Sequence, residues 1–220
     1  MTQILVIAKE AVPGRVKTRL CPPFTIGQAA RLAAAALEDT LHTVAATPVG
    51  HRVLALQGRP GPWLPHGFVV IPQRGRGLDQ RLAAAFTDAH HLHPMPTVLI
   101  GMDTPQLTPA LLQSAATALA SHDAVYGPAI DGGFWLLGLR RPDPALLLGV
   151  PMSRPDTGAV QLQRLRQAGL SLAVLPELRD VDTAADAFHV AAEAPGSRFA
   201  TTLKTIQRET ADITHGSARR

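Results

Sequence analysis

The sequence predicts a three-layer α/β sandwich around a mostly parallel central sheet. Two apolar runs, residues 3–8 and 97–101, are rich in β-branched residues and have no polar face, as in strands buried on both sides. Between such runs lie segments with helical spacing of apolar residues, and regular alternation of strand and helix is the signature of a parallel sheet covered by helices. Finally, 220 residues with 46% hydrophobic and 17% charged side chains suffice for a core, which excludes a disordered or fibrous chain.

The elements follow in order. After the first strand, a Pro/Gly-rich loop runs over residues 9–24. Residues 27–46 are alanine-rich, with Leu32, Leu37, Leu41 and Val44 at helical spacing. Residues 52–57 and 68–71 read as short strands on either side of a breaker-rich segment that holds Trp63, expected to pack on the core. A helix over 78–89 leads to the strand at 97–101. Thr108 and Pro109 then form a helix start, a capping residue followed by proline at the first helical position. Strands are expected at 124–126, 134–139 and 170–175, and helices at 155–168 and 183–194. No internal repeat or linker divides the chain, so one domain is expected over residues 1–210, with a flexible tail over 211–220.

The formal net charge is +4. Residues 9–19 carry +3 and residues 198–220 another +3, which leaves −2 for the remainder. With only 4% aromatic residues there is little on which to stack bases, and no nucleic-acid partner is expected. The one cysteine, Cys21, forms neither an intramolecular disulfide nor a cysteine-built zinc site, and it lacks a neighbouring base that would make it a nucleophile. No apolar stretch approaches the ~18 residues of a membrane helix. Residues 4–8 lack the basic lead-in of a secretion signal. The expected setting is the cytoplasm, away from membranes.

In open α/β sheets ligands bind beyond the carboxyl ends of the strands, so the loops after residues 8, 101 and 175 are the places to look for chemistry. In the first loop Pro13-Gly14 forces a turn, after which Arg15, Lys17 and Arg19 alternate with Val16 and Thr18. If this segment is extended, all three cations point to one side, with Lys9 arriving from the strand, and together they suit a di- or triphosphate. The pattern lacks the first glycine of a Walker loop, and Gly75-Arg-Gly77 lacks the third glycine of a dinucleotide fingerprint. Asp103, just past a buried strand, suits either a hard divalent cation or a turn cap. Asp131, in the turn 127–133, suits either an acceptor hydroxyl or an Asx turn. Asp180 and Asp182 flank Val181; either Asp182 or Thr183 caps the following helix, and a second carboxylate would complete a cation site with Asp103. His90, His91 and His93 lack metal-ligand spacing and are expected in a solvated loop.

Taken together, residues 8–20, Gly101-Met-Asp-Thr-Pro105, Gly127-Pro-Ala-Ile-Asp-Gly-Gly-Phe134 and Asp180-Val-Asp-Thr183 resemble a bacterial, glycosyltransferase-like branch of the GT-A nucleotide-diphospho-sugar transferase superfamily. Some members of that branch are assigned to arsenosugar biosynthesis, and it is similar to cofactor guanylyltransferases. The resemblance runs over residues 3–190 with the motifs in the same order. It implies a Rossmann-like GT-A fold, Mg²⁺ or Mn²⁺ held at Asp103 and Asp182, and nucleotide phosphates on the first loop, at Lys9, Gly14, Arg15, Lys17 and Arg19. The chain departs from the pattern at Met102, Thr104, Phe134 and Met152-Ser153. The expected activity is metal-dependent transfer from a nucleotide sugar, or from a nucleoside triphosphate with release of pyrophosphate, to a small-molecule acceptor, with Asp103 and Asp131 as catalytic residues. A noncatalytic nucleotide-binding protein is the alternative.

Overall fold

The computed structural model describes the backbone of residues 1–217 and the side chains of residues 1–211. The chain runs β1 (Gln3–Lys9), α1 (Ile26–Ala46), β2 (His51–Gln57), β3 (Phe68–Pro72), α2 (Leu78–Leu92), β4 (Thr97–Ile100), α3 (Pro109–Ala118), β5 (Ala124–Pro128), β6 (Phe134–Leu139), α4 (Thr157–Gln167), β7 (Leu172–Val174), α5 (Ala184–Glu193) and α6 (Arg198–Ser217). Short 3₁₀ turns lie at Thr18–Leu20 and Pro144–Leu146. The seven strands form one sheet in the order β3-β2-β1-β4-β6-β5-β7. Only β6 is antiparallel to its neighbours. The expected α/β sandwich with a mostly parallel sheet is the fold found.

Period-two alternation explains how one strand serves two layers. From β1, Ile4, Val6 and Ala8 enter the core beneath α1 and α3, whereas Leu5 enters the opposite core against α2. In β2, Leu54 and Leu56 go one way and Val53 and Ala55 the other; in β4, Val98 and Ile100 oppose Leu99. Thr25 and Gln28 close a reciprocal capping box at the start of α1, and Thr108 caps α3 by accepting from the Leu111 N–H at 3.2 Å.

After β1 the chain builds β2 and β3 on one side and then returns to place β4 on the other. This reversal opens a crevice at the carboxyl ends of β1 and β4, the switch point of a doubly wound sheet. Because β6 runs the opposite way, the turn joining β5 to β6 reaches the same rim.

The sequence reading places no helix near the end of the chain, and the structure has one there: α6 reaches Ser217, and residues 218–220 lie outside the described residues. Phe199, Leu203 and Ile206 come from one face of α6 and are buried against α1 and α5. At about 1.5–3 kcal/mol for each fully buried large apolar side chain, this face is ample reason for the helix to dock. The polar composition and basic ends of 198–220 hide that spacing. The histidines also differ from expectation: His90 and His91 end α2, and the ring of His93 stacks on His51 with centroids 3.5 Å apart. Among the described residues, no helix is long and apolar enough to cross a membrane.

Asp39 of α1, nearly buried, accepts the backbone N–H groups of Arg198 at 3.1 Å and Phe199 at 2.9 Å and so holds the first turn of α6. Asp39→Ala is expected to cost about 1–2 kcal/mol, as for loss of a helix cap, and to lower the melting temperature by roughly 2–8 °C for a chain of this size. Thermal unfolding followed by circular dichroism checks this; an unchanged melting temperature would mean that α6 docks through its apolar face alone.

Candidate functional site

A cleft of ≈ 780 Å³ lies at the switch point, and all the expected site residues except Gly14 line it: Lys9, Arg15, Lys17, Arg19, Asp103, Asp131 and Asp182. In it the ammonium group of Lys17 lies 2.8 Å from Asp103 Oδ1 and 3.2 Å from Asp182 Oδ1. Arg19 Nη1 reaches the other oxygen of Asp182 at 3.2 Å. Residues from three distant parts of the chain are thus joined at one charge cluster.

Local chemistry explains each placement. Gly14 adopts φ 77° and lets the loop turn sharply, while its own position is outside the cleft lining. Beyond it the segment is not extended, which corrects the expected alternation. Val16 is buried in the core under α1 and Leu20 in the core between α1 and α5, and anchoring both within five residues draws the backbone into turns. Lys17 itself takes the left-handed conformation at φ 50°, uncommon for a residue with a side chain, directly before the 3₁₀ turn. The cations still face the cleft, through loop geometry instead of strand periodicity.

Asp103 and Asp182 are brought together by a backbone zipper. The N–H of Val181 donates to the carbonyl of Asp103 at 2.9 Å, and Gln106 Nε2 donates to the carbonyl of Arg179 at 2.7 Å. Val181 is buried, so Asp180 and Asp182 on either side of it project the other way, into the cleft. Neither Asp103 nor Asp182 is occupied in capping. Thr108 serves α3, and Thr183 serves α5 in a reciprocal box with Asp186. Thr183 is thus the one of the two candidates that caps α5, and the carboxylates of Asp103 and Asp182 both line the cleft.

Electrostatics follow from this crowding. Burial pulls the Lys17 ammonium down, but Asp103 and Asp182 outweigh it and hold the pKa above the usual lysine value. Asp180 goes the other way. Burial first, then the neighbouring charges of Asp103 and Asp131, push its carboxyl up to about 8, with Lys17 opposing. Its Oδ1 is buried without a hydrogen-bond partner. The sequence assigned Asp180 no role; the only signal was its position two residues before Asp182.

Asp131 is exposed at the rim, and its Oδ1 accepts the Gly133 N–H at 2.8 Å in an Asx turn. The glycines beside it answer to packing as much as to any ligand. Gly132 sits at φ 86°, and a Cβ there would lie 1.9 Å from the Pro155 carbonyl oxygen. The departures from the family pattern are also placed: Met102 Sδ accepts the Lys9 N–H at 3.3 Å, and Met102, Thr104, Phe134, Met152 and Ser153 all line the cleft. Cleft residues that the sequence did not single out include Gln73, Arg81 and Arg154. Among the described residues, no three His, Cys, Asp or Glu side chains form a ready metal cage. Trp63 packs on the core, as expected.

Comparison with known proteins agrees with this architecture. The fold is similar to the crystal structure of a protein designated a nucleotide-diphospho-sugar transferase from Desulfovibrio desulfuricans G20, with 27% identity and a TM-score of 0.82 over 94% of this chain and 97% of that one. It also resembles 2-C-methyl-D-erythritol 4-phosphate cytidylyltransferase from Thermus thermophilus, with 15% identity and a TM-score of 0.54 over 86% and 98% of the two chains. A CMP:2-keto-3-deoxy-manno-octonic acid synthetase complexed with CTP is similar at 15% identity and a TM-score of 0.52, over 87% and 97%. At these identities the last two likenesses are of fold. No curated protein matches the chain in sequence. The expected GT-A kinship holds: the chain has the fold of nucleotide-diphospho-sugar and nucleotidyl transferases. Residues 30–154, more than half its length, match one family throughout, and the chain belongs to that family, DUF2064, described as an uncharacterized protein conserved in bacteria.

Proposed function

We propose that this protein is a divalent-cation-assisted transferase that uses an activated nucleotide, with a nucleotide-diphospho-sugar as donor and a small molecule as acceptor. The observation that carries the reading is the Lys17 ammonium held between Asp103 and Asp182 at the switch point of the sheet. Two carboxylates that already share one cation suit Mg²⁺ or Mn²⁺, since a hard cation of this kind takes one or two carboxylates and completes its shell with water and substrate phosphates. When bound there, the metal neutralises charge on the leaving diphosphate.

The rest is the work of this chain. Lys9, Arg15, Lys17 and Arg19 surround the phosphate position with cationic donors, which pre-organise the diphosphate and stabilise the charge that grows as the donor bond breaks. Asp131, exposed and with one oxygen fixed by Gly133, has its second oxygen available to orient an acceptor hydroxyl and take its proton. With no cation bound, burial first and then the charges of Asp103 and Asp131 push the neighbouring Asp180 carboxyl up to about 8. The likeness to the Desulfovibrio desulfuricans G20 protein supports the sugar-nucleotide reading. The density of cations on the first loop favours a second reading, nucleotidyl transfer from a triphosphate. The products separate the two: nucleoside diphosphate in the first case, pyrophosphate in the second.

Incubation with a panel of nucleotide sugars and nucleoside triphosphates plus Mn²⁺ is expected to release nucleoside diphosphate, with melting-temperature gains for one nucleotide class. At about 100 times Kd that gain corresponds to about 2.7 kcal/mol. Asp103→Asn is expected to abolish its metal-dependent part and to lower turnover by about 10²–10³-fold. No gain with any nucleotide, or an unchanged metal response in the variant, overturns the reading. For Asp180, a folded pKa of about 8 against an unfolded value near 3.9 means that the native chain keeps a proton the unfolded chain gives up. Its contribution therefore favours folding less and less as pH rises from about 4 to about 8. Asp180→Asn should flatten the fall of melting temperature over that window in metal-free buffer; an unaltered slope would refute a protonated Asp180.

A further inference from the structure

The charges around the two aspartates bear on the form in which the cation arrives. Asp103 Oδ1 and Asp182 Oδ1 both rest on the Lys17 ammonium, and Asp182 Oδ2 rests on Arg19. Two carboxylates are thus matched by two protein cations. The Lys17 side chain is 9% exposed, so its charge is little screened by water, whereas that of Arg19 is 71% exposed. Over the whole cleft six Lys and Arg side chains face five Asp side chains. A bare divalent ion entering this balanced cluster meets carboxylates already paired and two positive neighbours at contact distance.

We infer that Lys17 is a built-in occupant of the cation position, and that the site takes its divalent ion together with a nucleotide diphosphate and not as the free ion. The inference rests on the proposed function. Phosphate oxygens draw Lys17 and Arg19 onto themselves, and the same movement releases Asp103 and Asp182 to the metal. Nucleotide and cation then bind with positive coupling, which by linkage is the same in both directions. The left-handed backbone at Lys17 is consistent with this: an uncommon conformation is held where it aims the ammonium between the aspartates. A lysine serving only as a phosphate ligand has no need to sit between two aspartates when phosphate is absent.

The test is binding of Mn²⁺ alone, read by loss of the free-ion electron paramagnetic resonance signal, with no nucleotide and no turnover. The wild-type protein is expected to bind free Mn²⁺ weakly. Lys17→Met, which removes the competing charge, is expected to bind it about 10-fold more tightly, within the usual range of coupling between linked sites. The same variant should lose affinity for nucleotide. Arg19→Ala alters an exposed side chain that frees only one oxygen of Asp182; it should give a smaller gain in the same direction and decides the matter if Lys17→Met does not fold. Free-Mn²⁺ affinity that is unchanged or reduced in the folded variants overturns the inference. So does wild-type affinity for Mn²⁺ that is equal with and without a stabilising nucleotide. Failure of the proposed function has a different signature, since no nucleotide then stabilises the wild-type protein with Mn²⁺ while the free-ion comparison still gives its own answer.

Discussion

The arrangement of the cleft depends on one buried ammonium group shared by two carboxylates. Lys17 comes from the loop after the first strand, Asp103 from the loop after the fourth, and Asp182 from the segment before α5; no two are near in sequence. A lysine with 9% of its side chain exposed is stable only if its charge is answered, and the two aspartates answer it. Conversely, two aspartates held this close would repel each other without it. Removing one member of a buried pair costs about 3–5 kcal/mol, and the figure here is smaller because Asp103 and Asp182 are each about one-third exposed. The cluster carries a desolvation cost that its own charges must offset, and burial first, then Asp103 and Asp131, push the nearby Asp180 toward its neutral form.

The fold meets that cost through rigid supports beneath the loops. β1 and β4 are adjacent and parallel, so both of their carboxyl ends open on the same crevice. Val181 is buried and bonded through its N–H to the Asp103 carbonyl, which locks the segment before α5 to the loop after β4. Threonines cap α3 and α5, so the nearby aspartates are spared that duty. At the opposite rim, Gly132 packs against Pro155 where no larger residue fits, which fixes the turn that carries Asp131. Each support is local and ordinary. Together they place side chains from four separate segments around one volume.

Much of this could be read without coordinates because the relevant signals are short-range. Apolar runs with no polar face specify strands of a covered sheet, and Thr108-Pro109 specifies a helix start within a residue. Strand-to-helix order then implies that ligands sit beyond the carboxyl ends of the strands, which points to the loops after residues 8, 101 and 175; that Asp103 and Asp182 act together is implied by the family resemblance and not by topology. The reading failed where a competing local requirement prevailed. Arg15, Lys17 and Arg19 alternate as in a strand, but Val16 and Leu20 each have a core to reach and fold the segment into turns. The helix over residues 198–217 went unread because its composition is polar, but three apolar side chains spaced along one face find α1 waiting for them.

The order of residues alone is enough to specify the layers, the sheet's mainly parallel character and the pool of charged side chains at its carboxyl edge, since periodicity, caps and breakers are properties of neighbours in the chain. Packing was needed to settle which carboxylates share the Lys17 ammonium, that Asp180 is buried with one oxygen unpartnered, and that Asp131 is exposed at the rim of the same cleft. Coulombic pairing and desolvation depend on distance through space and on access to water. Neither is encoded in the spacing of residues along a chain until the chain has packed.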